Sequence, residues 1–368
     1  MIIGIDGNEA NVEKKVGIGE YAYELLLQFA KVRDEGKFKF EIYLKDNPRS
    51  EMPVPSSNLR YNVIGPRKMW TQFGLPLNLF LSKRPDIFFT PTHYAPRFSP
   101  IPTAISIMDL SFIHFPNLFA KRDLYQLTNW TRYSVKNASK IFTISQSSKD
   151  DIIDAYGVED KKIFVTYPGI KEGTNARILT MDDLRKKFGI DKDYILFVGT
   201  LQPRKNIVKL IEAFSKIEKE NLLLVLVGKK GWLYENILSA PEKFGVLERV
   251  KFLDFVEDKD LPSLYKNALC FALPSLYEGF GLPVLEAMKH GCPVLTSNVS
   301  SLPEAGGDAA IYFDPNNADD IKEKIEKVIK NPTLRQEMIE KGYNQIKKFS
   351  WEKTAKETLR VLEDLGKL

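Results

Sequence analysis

Cysteine is nearly missing from this chain: Cys270 and Cys292 are the two in 368 residues. Each lies in apolar text, NALCFALP and HGCPVLTS, which predicts core packing in a reducing compartment rather than a disulfide framework. Histidine is equally scarce, with His93, His114 and His290, and no Cys/His cluster has zinc-ligand spacing. No apolar run is long enough to cross a bilayer. The N-terminus, MIIGIDGNEA, lacks a basic region followed by a cleavable apolar segment and reads as a first strand. Neither sign of charge dominates. The net charge of +5 fits an anionic small ligand or an acidic membrane surface without requiring either, and no nucleic-acid partner is expected.

What is present is an ordinary soluble balance, 43% hydrophobic and 27% charged, at a length that suggests two domains. Short apolar runs alternate with helix-period segments: IIGID then EYAYELLLQFA, FEIYL, DIFFTP, TAISIMDL, KIFTIS. This is β-α-β alternation and predicts a mostly parallel sheet covered on both faces. The pattern pauses over the polar stretch 171–192, which lacks apolar periodicity until LRKKFGI. It restarts with YILFVGTL, NIVKLIEAFSKI, LLLVLVG, VKFLDF, ALCFALP and PVLTS. The expected fold class is α/β, two Rossmann-like, doubly wound parallel-sheet domains, 1–170 and 171–350, joined near residue 170. In open α/β sheets ligands bind beyond the carboxyl ends of strands, so the crevice between two such lobes is the expected site.

Three loops after strands carry chemistry. In the first, Gly17-Ile-Gly19-Glu-Tyr-Ala22 matches the dinucleotide fingerprint G-x-G-x-x-A. About ten residues separate it from the strand, where a true fingerprint follows at once. A glycine loop opening a helix toward an anion fits better, and a simple turn remains an alternative. In the second, VGTLQPRKNIVKL, the strand ends at Gly199 and a helix starts near Asn206. Arg204 and Lys205 then sit where two cations oppose the positive end of the helix dipole. Their presence makes sense if they hold something strongly anionic, such as a diphosphate.

The third loop, at 278–286, reads E-G-F-G-L-P-V-L-E. It follows the strand ALCFALPS. Pro283 suits a first helical turn, and Gly291 suits its C-terminal stop. The amides of Gly279, Phe280, Gly281 and Leu282 converge at the helix start. Gly279 and Gly281 leave room for a ligand to approach backbone. Glu278 lies before the helix and Glu286 about one turn into it, so both can face one ligand from different heights. A hydrolase would place two carboxylates across one glycosidic bond at a set separation; that reading has no use for Arg204 and Lys205.

At these residues the sequence resembles the retaining nucleotide-sugar glycosyltransferases of family 4, group 1, with the GT-B fold and a mannosyltransferase-like character. E278-GFGLPVL-E286 looks like their Glu–seven–Glu signature, and EAMKHGCPVLTSNVSSLPEAGGDAA like its continuation. G199-TLQPRKN resembles the phosphate loop of the second lobe, GIGEYAYELL the glycine loop of the first; LPSLYKNA and FSWEKTA also fit. The resemblance implies a nucleotide-diphospho-sugar donor, with Arg204 and Lys205 on the diphosphate and Gly17 and Gly19 closing on it from the first lobe. Glu286 would bind the ribose and Glu278 would lie near the sugar. The base would meet backbone near Phe255 and Val256, and a final helix, 351–368, would cross back to the first lobe. It also implies transfer of a hexose, mannose favoured, from GDP-mannose or a UDP-sugar with retention, the departing phosphate taking the acceptor proton. No cofactor is expected. No carboxylate-rich D-x-D site is evident, so no metal is expected either.

One position departs from the family pattern. Many members carry a His-Asp pair in text like IHDLSF; here the run is I107-M108-D109-L110-S111-F112. Methionine cannot donate a hydrogen bond or carry charge. Asp109, or His93 in TPTHYAP, would take its place toward sugar or acceptor. A non-catalytic or weakly active sugar-nucleotide-binding protein is the alternative. The acceptor, a glycan or lipid-linked glycan, would meet the first lobe through GPRKMWTQFGLP and HFPNLFAKRDLYQLTNWTRYSVKNASK. The second of these reads either as a packed amphipathic helix or as a surface facing a membrane. The expected location is cytoplasmic, with peripheral contact on the inner membrane face left open.

Overall fold

The computed structural model describes residues 1–32, 36–171 and 177–367. It divides into two compact units, Met1–Gly169 with the segment from Phe349 onward, and Ile170–Lys348. The first unit holds β1 (Ile2–Asp6), β2 (Lys39–Leu44), β3 (Leu59–Val63), β4 (Ile87–Thr90), β5 (Thr103–Ile107), β6 (Lys140–Thr143) and β7 (Ile163–Val165), ordered β3-β2-β1-β4-β5-β6-β7. The second holds β8 (Asp193–Val198), β9 (Leu222–Val227), β10 (Val250–Leu253), β11 (Cys270–Leu273), β12 (Val294–Ser297) and β13 (Ala310–Phe313), ordered β10-β9-β8-β11-β12-β13. The strand pairings in both sheets are parallel.

Parallel sheets flanked by helices bury both faces and so read as unbroken apolar runs; β9, LLLVLV, is buried along its whole length. The strands that the apolar runs do not reveal are β3, β7 and β13, and each lies at the edge of its sheet. Edge strands have one covered side fewer, and β3 (LRYNV) and β13 (AIYF) each bury only one residue fully. The polar stretch 171–192 contains the helix Met181–Phe188, closed by a reciprocal Thr180–Asp183 capping box. Residues 172–176 of that stretch lie outside the described residues.

The helix Trp351–Gly366 packs in the first unit. Ser350 caps it, accepting from the Lys353 N–H at 3.2 Å. Its apolar stripe of Trp351, Ala355, Leu359, Leu362 and Leu365 joins the core built around Ile3, Ile5, Leu25 and Phe89. Trp351 meets the Tyr21 ring edge-on at 5.9 Å. A side chain on Gly169 would stand 2.1 Å from the Trp351 nitrogen, so only glycine permits this approach. Among the described residues no helix is long and apolar enough to cross a membrane. Both cysteines are buried and unpaired as disulfides.

Each sheet reverses its strand order once, between β1 and β4 in the first unit and between β8 and β11 in the second. Loops leaving the carboxyl ends of strands at such reversals are where open α/β sheets take ligands.

Candidate functional site

In the second unit, the loops after β8 and β11 meet at the strand-order reversal. The first turns through Pro203–Lys205, and Asn206 enters the helix Ile207–Ser215 in the left-handed region, φ 55°. Asparagine tolerates that conformation, and its side chain donates to the Pro315 carbonyl at 2.7 Å. The turn points Arg204 and Lys205 at Glu278 on the other loop. Lys205 Nζ donates to Glu278 Oε1 at 2.5 Å, Ser275 Oγ donates to the same oxygen at 2.6 Å, and Arg204 donates to Oε2 at 3.1 Å. Arg204 also donates to the Tyr277 carbonyl. The Glu278 backbone is tied as well: its N–H donates to Ser300 Oγ at 2.9 Å and its carbonyl accepts from Ser301 Oγ at 2.8 Å.

The sequence pattern names all three charged residues but does not pair them. Burial would raise the Glu278 carboxyl; Lys205 and then Arg204 outweigh it and hold the group down at about 2. It is therefore a permanent anion at physiological pH, set between two cations.

Behind Glu278, Gly281 stands at φ 104°, and a side chain there would come within 2.8 Å of Leu302. It caps the helix Leu282–Lys289, which has Pro283 in its first turn. Gly279 and Phe280 are buried. Glu286 has a different set of partners: Tyr265 donates to its Oε2 at 3.1 Å, and burial raises its carboxyl against that bond and Lys171. Tyr265 in turn stacks on His290. The two acids of the signature thus sit in separate hydrogen-bond networks.

Gly199 closes β8 and bonds to the Val227 carbonyl at 2.9 Å. Gly228 lies hard against it, since a side chain on Gly228 would meet the Gly199 carbonyl at 2.0 Å. Gly228 also bonds the chain end after β10 at Leu253 and Asp254. Phe255 follows, 63% exposed, with Lys229 Nζ 4.6 Å over its ring, while Val256 is buried. The loops after β8, β9 and β10 are therefore contiguous with one another.

In the first unit, the loop after β1 ends at Gly17, φ 51°, the cap of the helix Ile18–Lys31. A side chain at Gly19 would lie 2.8 Å from the Glu9 carbonyl, so this loop folds back on the helix start. The loops after β4 and β5 bring His93 to Met108: the Met108 N–H donates to His93 Nε2 at 3.3 Å. Burial lowers the imidazole's proton affinity, with Asp109 opposing, so the ring is neutral near pH 7 and its proton sits on Nδ1. That Nδ1 is buried with no hydrogen-bond partner among the described residues. Asp109 Oδ1 accepts from the Ser111 N–H at 2.8 Å. Met108 is itself in the core, and its carbonyl accepts from Ser148.

Asp6 escapes the sequence reading. It ends β1, is buried, and accepts from the Asn8 N–H at 3.0 Å and side chain at 2.8 Å. Burial lifts its carboxyl to about 6 despite those bonds. An acid closing an apolar strand, IIGID, was the available signal. His114 is half-exposed and pairs with Asp151 at 3.1 Å. The helix Lys121–Asn137 turns Thr131, Ser134 and Val135 inward, with Leu124 and Leu127 against the core; this is ordinary amphipathic packing. Among the described residues no group of three or more His, Cys, Asp and Glu side chains is placed to hold a metal ion.

The profile of the family described as Glycosyl transferases group 1 matches residues 180–345, and that of Glycosyltransferase Family 4 matches residues 17–172. O-antigen chain mannosyltransferase B of Escherichia coli is 33% identical over 258 residues, 69% of this chain and 68% of that protein. The serotype-specific mannosyltransferase WbdA of E. coli is 33% identical over 232 residues, 60% of this chain but 28% of that longer protein. Sucrose-phosphate synthase from Thermosynechococcus elongatus superposes with a TM-score of 0.74 at 16% identity, over 99% of each chain. Anabaena HepE, solved with UDP and glucose, superposes with a TM-score of 0.74 at 18% identity, over 98% of this chain and 99% of that one. Two parallel-sheet units, both family profiles and these neighbours lead to one conclusion: the chain belongs to the group 1 glycosyltransferases and has the GT-B fold.

Proposed function

We propose that this protein moves a hexose, mannose favoured, from a nucleotide-diphospho-sugar to a glycan or lipid-linked glycan acceptor with retention of configuration. The observation that carries the reading is the convergence of Lys205 and Arg204 on one point at the strand-order reversal of the second unit. Two fixed cations against one carboxylate leave an excess of positive charge where a diphosphate would sit. Cleaving a glycosyl–phosphate bond builds negative charge on the leaving group, and cations already held in place stabilise it without reorganising. They can do so without a divalent ion. The departing phosphate takes the acceptor proton, so no protein nucleophile is needed. Glu278, a permanent anion, accepts hydrogen bonds from donor-sugar hydroxyls; Glu286, on its separate network, accepts from the ribose. Phe255 and Val256 offer backbone to the base. In the first unit, Gly17 and Gly19 open the diphosphate loop, and His93 and Asp109 serve sugar or acceptor. The mannosyltransferase relatives support mannose as the sugar.

A second reading is a sugar-nucleotide-binding protein without turnover. It is favoured by Met108, whose buried thioether donates no hydrogen bond where the family has histidine. The His93 Nδ1–H beside it supplies a donor of the same kind and favours turnover. Purified protein with GDP-mannose or UDP-glucose and an acceptor panel, assayed for nucleoside diphosphate release with and without EDTA, decides between them. Acceptor-dependent, EDTA-insensitive release supports the transferase; donor binding without release across the panel supports the second reading.

A further inference from the structure

Among the described residues, a dense run of exposed apolar side chains lies in the first unit. A π-type turn, Trp70–Gly74, runs into the helix Leu75–Leu81. Its inner face is fixed: Trp70, Leu75 and Leu79 pack on Tyr43 and Phe88, and the Trp70 indole donates to the Ile64 carbonyl at 3.1 Å. Its outer face is Met69, Phe73, Leu77, Phe80 and Leu81, exposed by 48–82%. These recur every three or four residues, a single stripe. The loop holding Phe98 joins them, since the neighbouring Arg97 N–H bonds the Thr71 carbonyl at 3.4 Å. Phe98 is 76% exposed.

Two of these residues carry backbone strain. Met69 has φ 52° and Phe98 φ 51°, a left-handed region that bulky side chains avoid. Holding an aromatic ring and a thioether in water by this means is unfavourable twice over, which points to an occupant.

The charges say which one. Arg67 and Lys68 precede the stripe, Lys83 and Arg84 follow it, and no acid occurs from residue 52 to 85. Arg67 pairs with Asp46 at 2.8 Å. Lys68, Lys83 and Arg84 are exposed and have no ion-pair partner among the described residues. An apolar stripe rimmed by cations matches the acyl boundary and anionic headgroups of a bilayer. A second copy fits poorly, because a two-fold contact would set the same cations against themselves.

We propose that residues 67–84, with Phe98, form a docking face for an anionic lipid bilayer. The face adjoins the helix Lys121–Asn137, since the Phe98 N–H donates to the Tyr133 hydroxyl at 2.9 Å; the inner side of that helix is occupied by the core.

The test is co-sedimentation of the full chain with phosphatidylcholine vesicles containing about one third phosphatidylglycerol, against vesicles of phosphatidylcholine alone. Binding is expected to the anionic vesicles and to fall at about 0.5 M salt. Each basic residue at an anionic surface strengthens binding about five-fold, so Lys68→Gln with Lys83→Gln and Arg84→Gln should weaken it on the order of 100-fold. Phe80→Gln with Leu81→Gln, both on the exposed face, should weaken it comparably, since each buried Leu or Phe is worth about ten-fold or more. Circular dichroism and thermal melts check that each variant stays folded, and the charge variant keeps the test decisive if the apolar one does not. No binding to anionic vesicles at low salt, equal salt-independent binding to both vesicle types, or unchanged binding by the folded variants would overturn the proposal. So would a concentration-dependent dimer, seen by sedimentation velocity, that the apolar variant abolishes without vesicle binding by the wild type.

Discussion

Lys205 Nζ lies 2.5 Å from Glu278 Oε1, and both side chains are about nine-tenths out of solvent. The pair joins the loop after β8 to the loop after β11 at the point where strand order reverses. A buried carboxylate stripped of one cationic partner is strongly unfavourable. Lys205→Ala is therefore expected to lower stability by about 3 kcal/mol, at the low end for a broken buried pair because Arg204 stays in place. Thermal unfolding measures it, and a change within about 0.5 kcal/mol, the usual range for surface substitutions, would mean the pair contributes little.

The same pair predicts an acid sensitivity. The folded Glu278 carboxyl, at about 2, lies below its unfolded value of about 4.3. Its stabilising contribution is then present above about pH 4.3 and lost as pH falls toward 2. Glu278→Gln should be less stable than the wild type at neutral pH, with the difference shrinking across that window in acid titrations followed by circular dichroism.

Asp6 carries the opposite sign. Its folded carboxyl, near 6, lies above the unfolded value, so ionisation disfavours folding as pH rises, fully above pH 6. Asp6→Asn should be more stable than the wild type at pH 8 by an amount on the order of 2–3 kcal/mol, and the gain should vanish near pH 4. Unfolding midpoints at the two pH values report it.

His93 should stay neutral at pH 7 with its proton on Nδ1, because burial lowers its proton affinity and Nε2 accepts the Met108 N–H. Nitrogen-15 NMR of labelled histidine reads the tautomer directly. If Nδ1 serves substrate, His93→Phe should slow transfer by about 100-fold or more, the scale of a positioned proton donor, as nucleotide release would record.

Trp351 anchors the last helix to the first unit. Trp351→Ala removes a buried indole that packs on Tyr21 and should destabilise that unit by about 3–5 kcal/mol, measurable as an early transition in thermal unfolding.

What the sequence made readable follows physical lines. Strands sheltered on both faces, such as LLLVLV and CFAL, are continuous apolar text and were plain. Three edge strands were not, because LRYNV, IFV and AIYF are short and mix fully buried positions with half-buried or exposed ones. The charged loops could be found from residue type and place: cations at a helix start, glycines before Pro283. Their pairing could not, since Lys205 and Glu278 are 73 residues apart and each acid of the signature looks alike on paper. The structure separates them, Glu278 to the cations and Glu286 to Tyr265. Asp6 stayed hidden because its burial depends on the sheet closing around it.

Whether Arg204 and Lys205 hold a diphosphate is best settled by titration calorimetry with GDP and GMP, and in parallel UDP and UMP, on the wild type and Lys205→Ala. The cation pair predicts that a diphosphate binds at least about ten-fold tighter than its monophosphate, since charge-assisted contacts are the strong ones, and that this preference collapses in Lys205→Ala. Equal affinity for di- and monophosphates in the wild type, or a preference that survives the substitution, would contradict it.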